Sequence, residues 1–91
     1  MAYKLIFPYS YIKRAKVFVK RHPELLKQYE KTLLLLEHNP FHPSLRLHPL
    51  KGKLNGLHSI SINIGYRITI ELIISEHAIT LINVGSHDEV Y

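Results

Sequence analysis

Residues 59–72 read SISINIGYRITIEL, and the fold turns on them. Ile60, Ile62 and Ile64 alternate with Ser59, Ser61 and Asn63. After Gly65, Ile68, Ile70 and Leu72 alternate with Arg67, Thr69 and Glu71. A period of two belongs to an extended strand, whose successive side chains leave on opposite faces. With Gly65 at the turn, the stretch predicts two antiparallel strands, each with one apolar and one polar face. Ser59, Ser61, Asn63, Arg67, Thr69 and Glu71 are then expected on an open face. Packing alone rarely selects an arginine in mid-strand. Arg67 is either an edge charge, half of a cross-strand pair, or a functional group.

Outward from this hairpin the pattern changes. Downstream, SEHA marks another turn and ITLINV (residues 79–84) is apolar on both faces in its second half, which predicts a central or bulged strand. Upstream, LNG at Asn55 and Gly56 signals a hairpin, preceded by an extended crossing punctuated by Pro40, Pro43 and Pro49. Further back the period becomes helical. Tyr11, Ala15, Phe18 and Val19 form one stripe, with Ser10 as the expected cap. Leu25, Leu26, Tyr29, Leu33 and Leu36 form a second, with Pro23 in its first turn and an Asn39-Pro40 stop. The short break at His22 and Pro23 predicts an antiparallel helical hairpin. YKLIF, ended by Pro8, reads as a first strand. The order is β-α-α followed by three or four antiparallel strands: an α+β domain spanning residues 1–91, with the helices on one face of the sheet.

Composition narrows the classes of function. The chain has no cysteine, so disulfides and thiolate metal sites are excluded. The start of the sequence is too short and too soon interrupted by Pro8 for a signal peptide, and no run is long enough to span a membrane. The expectation is a soluble cytoplasmic protein that neither enters nor anchors to a membrane. All twelve Lys and Arg lie between positions 4 and 67, opposed there by three acids, whereas four acids and no basic residue follow. A basic body attracts polyanions, although a solvated basic helix looks the same in sequence.

Seven histidines invite a metal reading. His38 and His42 have helical spacing, but Pro40 breaks the helix between them, and the others show no ligand spacing. Histidine also transfers protons near neutral pH. RLHPLKGK places His48 among Arg46, Lys51 and Lys53. GSHDEVY places His87 directly after the last strand, followed by two acids and Tyr91. Cleaving RNA through its own 2′-hydroxyl requires a base for that hydroxyl, an acid for the departing 5′-oxygen and a cation for the charge on phosphorus. His48, Arg67 and His87 are groups of those kinds on three sheet segments.

LHPLKGKLNG before the hairpin, GYRI at the next strand and VGSHDEVY at the end together resemble the RelE/ParE superfamily of toxins from type II toxin–antitoxin modules, in its RelE/YafQ-type branch. The resemblance runs over nearly the whole length. It implies a RelE-like, microbial-ribonuclease-like β-α-α-β-β-β fold and a ribosome-dependent endoribonuclease that cleaves mRNA without metal or other cofactor. A cognate antitoxin would hold it inactive. Carried over by position, His87 becomes the general acid, Arg67 the phosphate stabiliser, and His48 the base or an RNA-positioning group. Tyr91 helps to hold the RNA, Lys51 and Lys53 fall in a basic region, and Arg46, Tyr66 and Ser61 are further expected RNA contacts. Where that branch usually carries a His and an Asp on the strand pair, this chain has Ser61 and Gly65. Two readings stay open within the same fold: a ParE-like gyrase inhibitor that binds without catalysis, and a toxin homologue that has lost its activity and keeps only its antitoxin.

Overall fold

The computed structural model describes residues 2–90, with residue 89 described in its backbone alone. The elements run β1 (Lys4–Ile6), α1 (Tyr9–Arg21), α2 (Leu26–His38), β2 (His48–Pro49), β3 (His58–Ser61), β4 (Tyr66–Ile73), β5 (Ala78–Ser86) and a one-turn helix α3 (His87–Val90). The strands form one five-stranded sheet in the order β1-β5-β4-β3-β2. β2 to β5 are antiparallel neighbours, as the alternating pattern predicts.

β1 departs from the expected antiparallel sheet: it pairs with β5 in parallel, Lys4 opposite Ala78 and Ile6 opposite Thr80. Hairpins dictate an antiparallel sense between successive strands, whereas β1 and β5 have the rest of the fold between them and are free of that constraint. The Tyr3 N–H donates to the Glu37 carbonyl and the Lys4 N–H to the His77 carbonyl, each at 2.7 Å, so β1 is tied to the end of α2 and to the β4–β5 turn.

The helices form where the stripes place them, with different ends. α1 starts at Tyr9, one residue ahead of the expected Ser10 cap. Pro8 holds φ −59° with no side-chain cap, and its carbonyl accepts from the Ile12 N–H at 3.0 Å. Pro23 starts a 3-10 turn, Pro23–Leu25, that leads into α2. α1 packs on β5. Between the helices and the sheet lie Tyr11, Phe18, Tyr29, Leu36, Ile60, Ile68, Ile70, Ile79 and Leu81, all buried. The Tyr11 and Tyr29 hydroxyls meet at 2.7 Å inside this core, each giving the other the partner that a buried phenol requires.

The hairpin that decides the fold closes differently from its simple alternation. β3 stops at Ser61, and Asn63 makes the turn: its Oδ1 accepts from the backbone N–H groups of Gly65 and Tyr66, both at 2.9 Å. Ile64 is therefore thrown to the surface, 90% exposed, rather than onto the apolar face. The polar face is also less open than its composition suggests. Ser59 and Thr69 are cross-strand partners and fully buried, and Ser61 is buried too. The bulge expected in the last strand falls where Thr69 pairs with Asn83 but Ile70 pairs with Leu81.

Candidate functional site

Arg67 lies at the start of β4, directly across from Ser61 on β3 and beside Gly85 on β5. Directly opposite residues share a face, so the guanidinium meets the serine: Nη1 donates to Ser61 Oγ at 2.8 Å. Gly85 contributes no side chain to crowd it. No carboxylate pairs with Arg67 among the described residues, which removes the cross-strand charge pair from the readings open in the sequence. The half-buried guanidinium is held by a neutral acceptor and keeps its charge for an anion.

His48 sits on the edge strand β2, opposite Ser59. Its Nδ1 lies 2.9 Å from the Arg46 carbonyl. A carbonyl can only accept, so Nδ1 carries the proton and, in the neutral ring, Nε2 carries the lone pair. Arg46 adopts the left-handed conformation, φ 51°, at the end of the Pro43–Leu45 turn, and this bend aims its carbonyl at the imidazole. Two strand spacings and a two-residue stagger put the His48 and Arg67 Cα atoms roughly 12 Å apart, on one face of the sheet. The gap suits a bound phosphate between two long side chains.

His87 opens α3, two residues after the Gly85 that neighbours Arg67. Its ring is well exposed and stands 3.7 Å from the Asp88 carboxylate, a distance and exposure at which the pair contributes little to stability. α3 packs against β4 and β5 and buries Val90, so the helix that carries His87 is docked beside the strand that carries Arg67.

The remaining expected contacts are distributed unevenly. Lys51 and Lys53 are exposed in the β2–β3 connection, beyond the Pro49–His58 pair, whereas Arg67 pairs at the other end of β3. The three residue rows between His58 and Ser61 alone span roughly 10 Å. Tyr66 does not join Arg67. One residue earlier on the strand, it faces the helices, where its ring lies 4.7 Å from His22 and 5.4 Å from Phe18 between centroids. Ser61 is spent on Arg67. Tyr91 lies outside the described residues. The turn-making role of Asn63 was not read from the sequence, although an Asn two residues before Gly65 is a recognisable turn signal.

Two concave surfaces are present, one beside the site and one on the helix side of the sheet. One, of about 160 Å³, is lined by Ser44, Arg46, Ser61, Ile62, Asn63 and Ile64. The other, of about 470 Å³, lies between α1 and β5 and includes Lys13, Arg14, Arg21 and His22. Beyond Thr80, β5 has left β1 behind, and Arg14 Nη1 donates to the exposed-edge carbonyl of Ile82 at 3.1 Å. No cluster of three or more His, Cys, Asp or Glu fit to hold a metal occurs among the described residues, and none of their helices is long and apolar enough to cross a membrane.

No protein-family model matches the sequence, and no curated protein matches it. Solved structures match its fold closely. The YoeB/ParE toxin from Agrobacterium tumefaciens superposes with a TM-score of 0.72 at 20% identity, over 92% of this chain and 98% of that one. The E. coli DinJ–YafQ toxin–antitoxin complex gives 0.70 at 22% identity, over 100% and 99%. A metal-bound toxin from Helicobacter pylori gives 0.71 at 25% identity, over 100% of both. This is the YafQ/YoeB toxin fold. Within this RelE-like fold the two-helix hairpin and five-stranded mixed sheet of the present chain fall into place, and its His48, Arg67 and His87 occupy β2, β4 and the start of α3.

Proposed function

We propose that the protein is the toxin of a type II toxin–antitoxin pair and an endoribonuclease that cleaves mRNA on the ribosome without metal. The observation that carries the reading is Arg67: a guanidinium fixed by Ser61, with no acid among the described residues to neutralise it, set between one imidazole on the edge strand and another at the start of α3. In this mechanism His48 Nε2 takes the proton of the 2′-hydroxyl, and the freed oxygen attacks the adjacent phosphorus. Arg67 holds the phosphate oxygens as charge builds on them. His87 gives a proton to the departing 5′-oxygen, leaving a 2′,3′-cyclic phosphate on one fragment and a 5′-hydroxyl on the other.

The partners follow from charge. mRNA and ribosomal RNA are polyanions suited to the basic body. By analogy with YafQ, which is found in complex with DinJ, a cognate antitoxin neutralises the protein in the cytoplasm. The cationic concavity between α1 and the uncovered edge of β5 suits an acidic segment of that partner.

The test is primer extension on an mRNA in a reconstituted translation reaction, with chelator throughout. Wild type should give discrete cuts within codons, and His87→Ala and Arg67→Ala should each suppress them. Intact mRNA with the wild-type protein, together with stalled DNA gyrase in a parallel assay, would replace the enzyme by a gyrase-binding toxin.

A further inference from the structure

β5 leaves half of its outer edge without a neighbouring strand, and the direction of its backbone there follows from the pairing. The Ile62 N–H donates to the Tyr66 carbonyl at 2.9 Å. On β4 the backbone groups of Tyr66 and Ile68 therefore turn towards β3, and those of Arg67 and Thr69 towards β5. Gly85 and Asn83, which face Arg67 and Thr69, turn back to β4 in return. The backbone of Val84 between them points out from the edge, past the end of the β1 pairing at Thr80. An edge of this kind is a template for another strand.

Two side chains close it. Asn83 Oδ1 accepts from the Val84 N–H at 2.9 Å, and Arg14 Nη1, reaching over from α1, donates to the Ile82 carbonyl at 3.1 Å. A donor and an acceptor that an incoming strand needs are thus both occupied. The bulge acts in the same sense. It leaves Ile82 without a partner on β4, since Thr69 pairs with Asn83 and Ile70 with Leu81, and a bulge bends an edge away from regular pairing. Beside the edge lies the concavity of about 470 Å³, with Asn83 and Val84 on one wall and Lys13, Arg14 and Arg21 on the other. No acid of the described residues lines it. A second copy that brought the same edge to this slot would meet three cations with three of its own.

We infer that Arg14 and Asn83 form a latch that shuts the free half of β5 to strand addition and keeps two copies of the chain from pairing edge to edge. The residue types agree with this role. Asn is disfavoured in strands, yet this one interrupts the apolar run ITLINV, and its amide serves the edge. Arg14 commits a long, rotamer-rich side chain to a carbonyl 68 residues away. The inference does not depend on the RNA-cleaving reading.

The test is sedimentation velocity on the intact protein over a concentration series, joined with amide hydrogen exchange. Wild type should stay monomeric over the range. Arg14→Ala combined with Asn83→Leu should dimerise within it, the dissociation constant falling by about tenfold or more, and each single substitution should do so more weakly. Asn83→Asp keeps the acceptor and Arg14→Lys keeps a donor, so both should stay monomeric. Arg21→Ala removes the same charge from the same cavity without touching the edge, and it too should stay monomeric. Exchange locates the contact. In dilute solution the Val84 N–H should exchange about tenfold faster in Asn83→Leu than in wild type, while an unchanged Gly85 N–H, turned into the β4–β5 ladder, reports an intact sheet. In the double variant at high concentration Val84 should regain its protection. Variants that remain monomeric with Val84 open to exchange overturn the latch, as does an Arg21→Ala protein that associates as strongly as Arg14→Ala. Association that leaves Val84 unprotected, or a wild type that already dimerises through this edge, overturns it as well.

Discussion

Arg67 Nη1 donates to Ser61 Oγ at 2.8 Å across the β3–β4 pair, and the hydroxyl that receives it is almost wholly buried. A long, rotamer-rich side chain is thus fixed by one neutral bond at the stem of the site, and holding it in advance removes an ordering cost at the moment of substrate binding.

Ser61→Ala should therefore lower cleavage by severalfold through Arg67, with about 1 kcal/mol lost from stability for the missing hydrogen bond. Ser61→Thr, which keeps the hydroxyl, should restore most of both. Single-turnover rates alongside urea melts separate the two effects. A cleavage rate unmoved in the alanine variant would show that Arg67 is positioned without its serine.

His48 is tested by splitting binding from chemistry. If Nε2 is the base, His48→Ala should slow single-turnover cleavage by about 10²–10⁴-fold and leave affinity for an uncleavable RNA nearly unchanged. A loss confined to affinity would assign the residue to positioning.

Lys51 and Lys53 lie towards the opposite end of the sheet from Arg67, so they should contribute to binding without contributing to chemistry. Replacing both by Ala should weaken single-stranded RNA binding uniformly across sequences. The slope of log affinity against log salt should become shallower by roughly 0.7 for each phosphate that is no longer neutralised. The rate at saturating RNA should hold. Titrations over a range of ionic strengths provide the check.

The buried tyrosine pair predicts a signature in alkali. Burial, and then the neighbouring Tyr29, push the Tyr11 phenol far above its ordinary value of 10.0. Burial also raises Tyr29, although the bond with Tyr11 opposes it. Above about pH 10 the unfolded chain releases the Tyr11 proton while the folded one retains it, so stability falls as pH rises, by about 1.4 kcal/mol per pH unit, and Tyr29 adds to the fall in the same direction. Below that pH the contribution is constant. Tyr11→Phe should make the alkaline fall shallower in denaturant melts from pH 8 to 11. Because it also strands the Tyr29 hydroxyl, it should cost about 1–3 kcal/mol at pH 7.

The parts of this architecture that were legible in sequence are those governed by local periodicity. The two helical stripes, the β3–β4 hairpin and the bulged last strand all follow from spacing alone. What was not legible depends on pairings far apart in the chain or on a single side chain. Nothing in YKLIF tells β1 to lie parallel to β5. Ile64 keeps perfect alternation yet is exposed, because Asn63 bonds the backbone and ends the strand pairing early. The same holds for the site. The three chemical groups of the proposed site were chosen by residue type and motif, and the same reasoning counted Tyr66 among the RNA contacts without placing it on a face of the sheet. Its ring is committed to His22 and Phe18 under the helices, a contact between segments too distant for any local pattern to announce.

The parallel union of β1 with β5 also governs timing. Lys4–Ile6 cannot find its place until Ala78–Thr80 exists, and β4 gains its second neighbour only with the same strand. Pairings of such long range form late and slowly. Arg67 and the docking surface for the helix of His87 are then assembled only after β5 has been translated. Under the reading proposed above, the site of Arg67 and His87 is therefore complete only once β5 has joined the sheet.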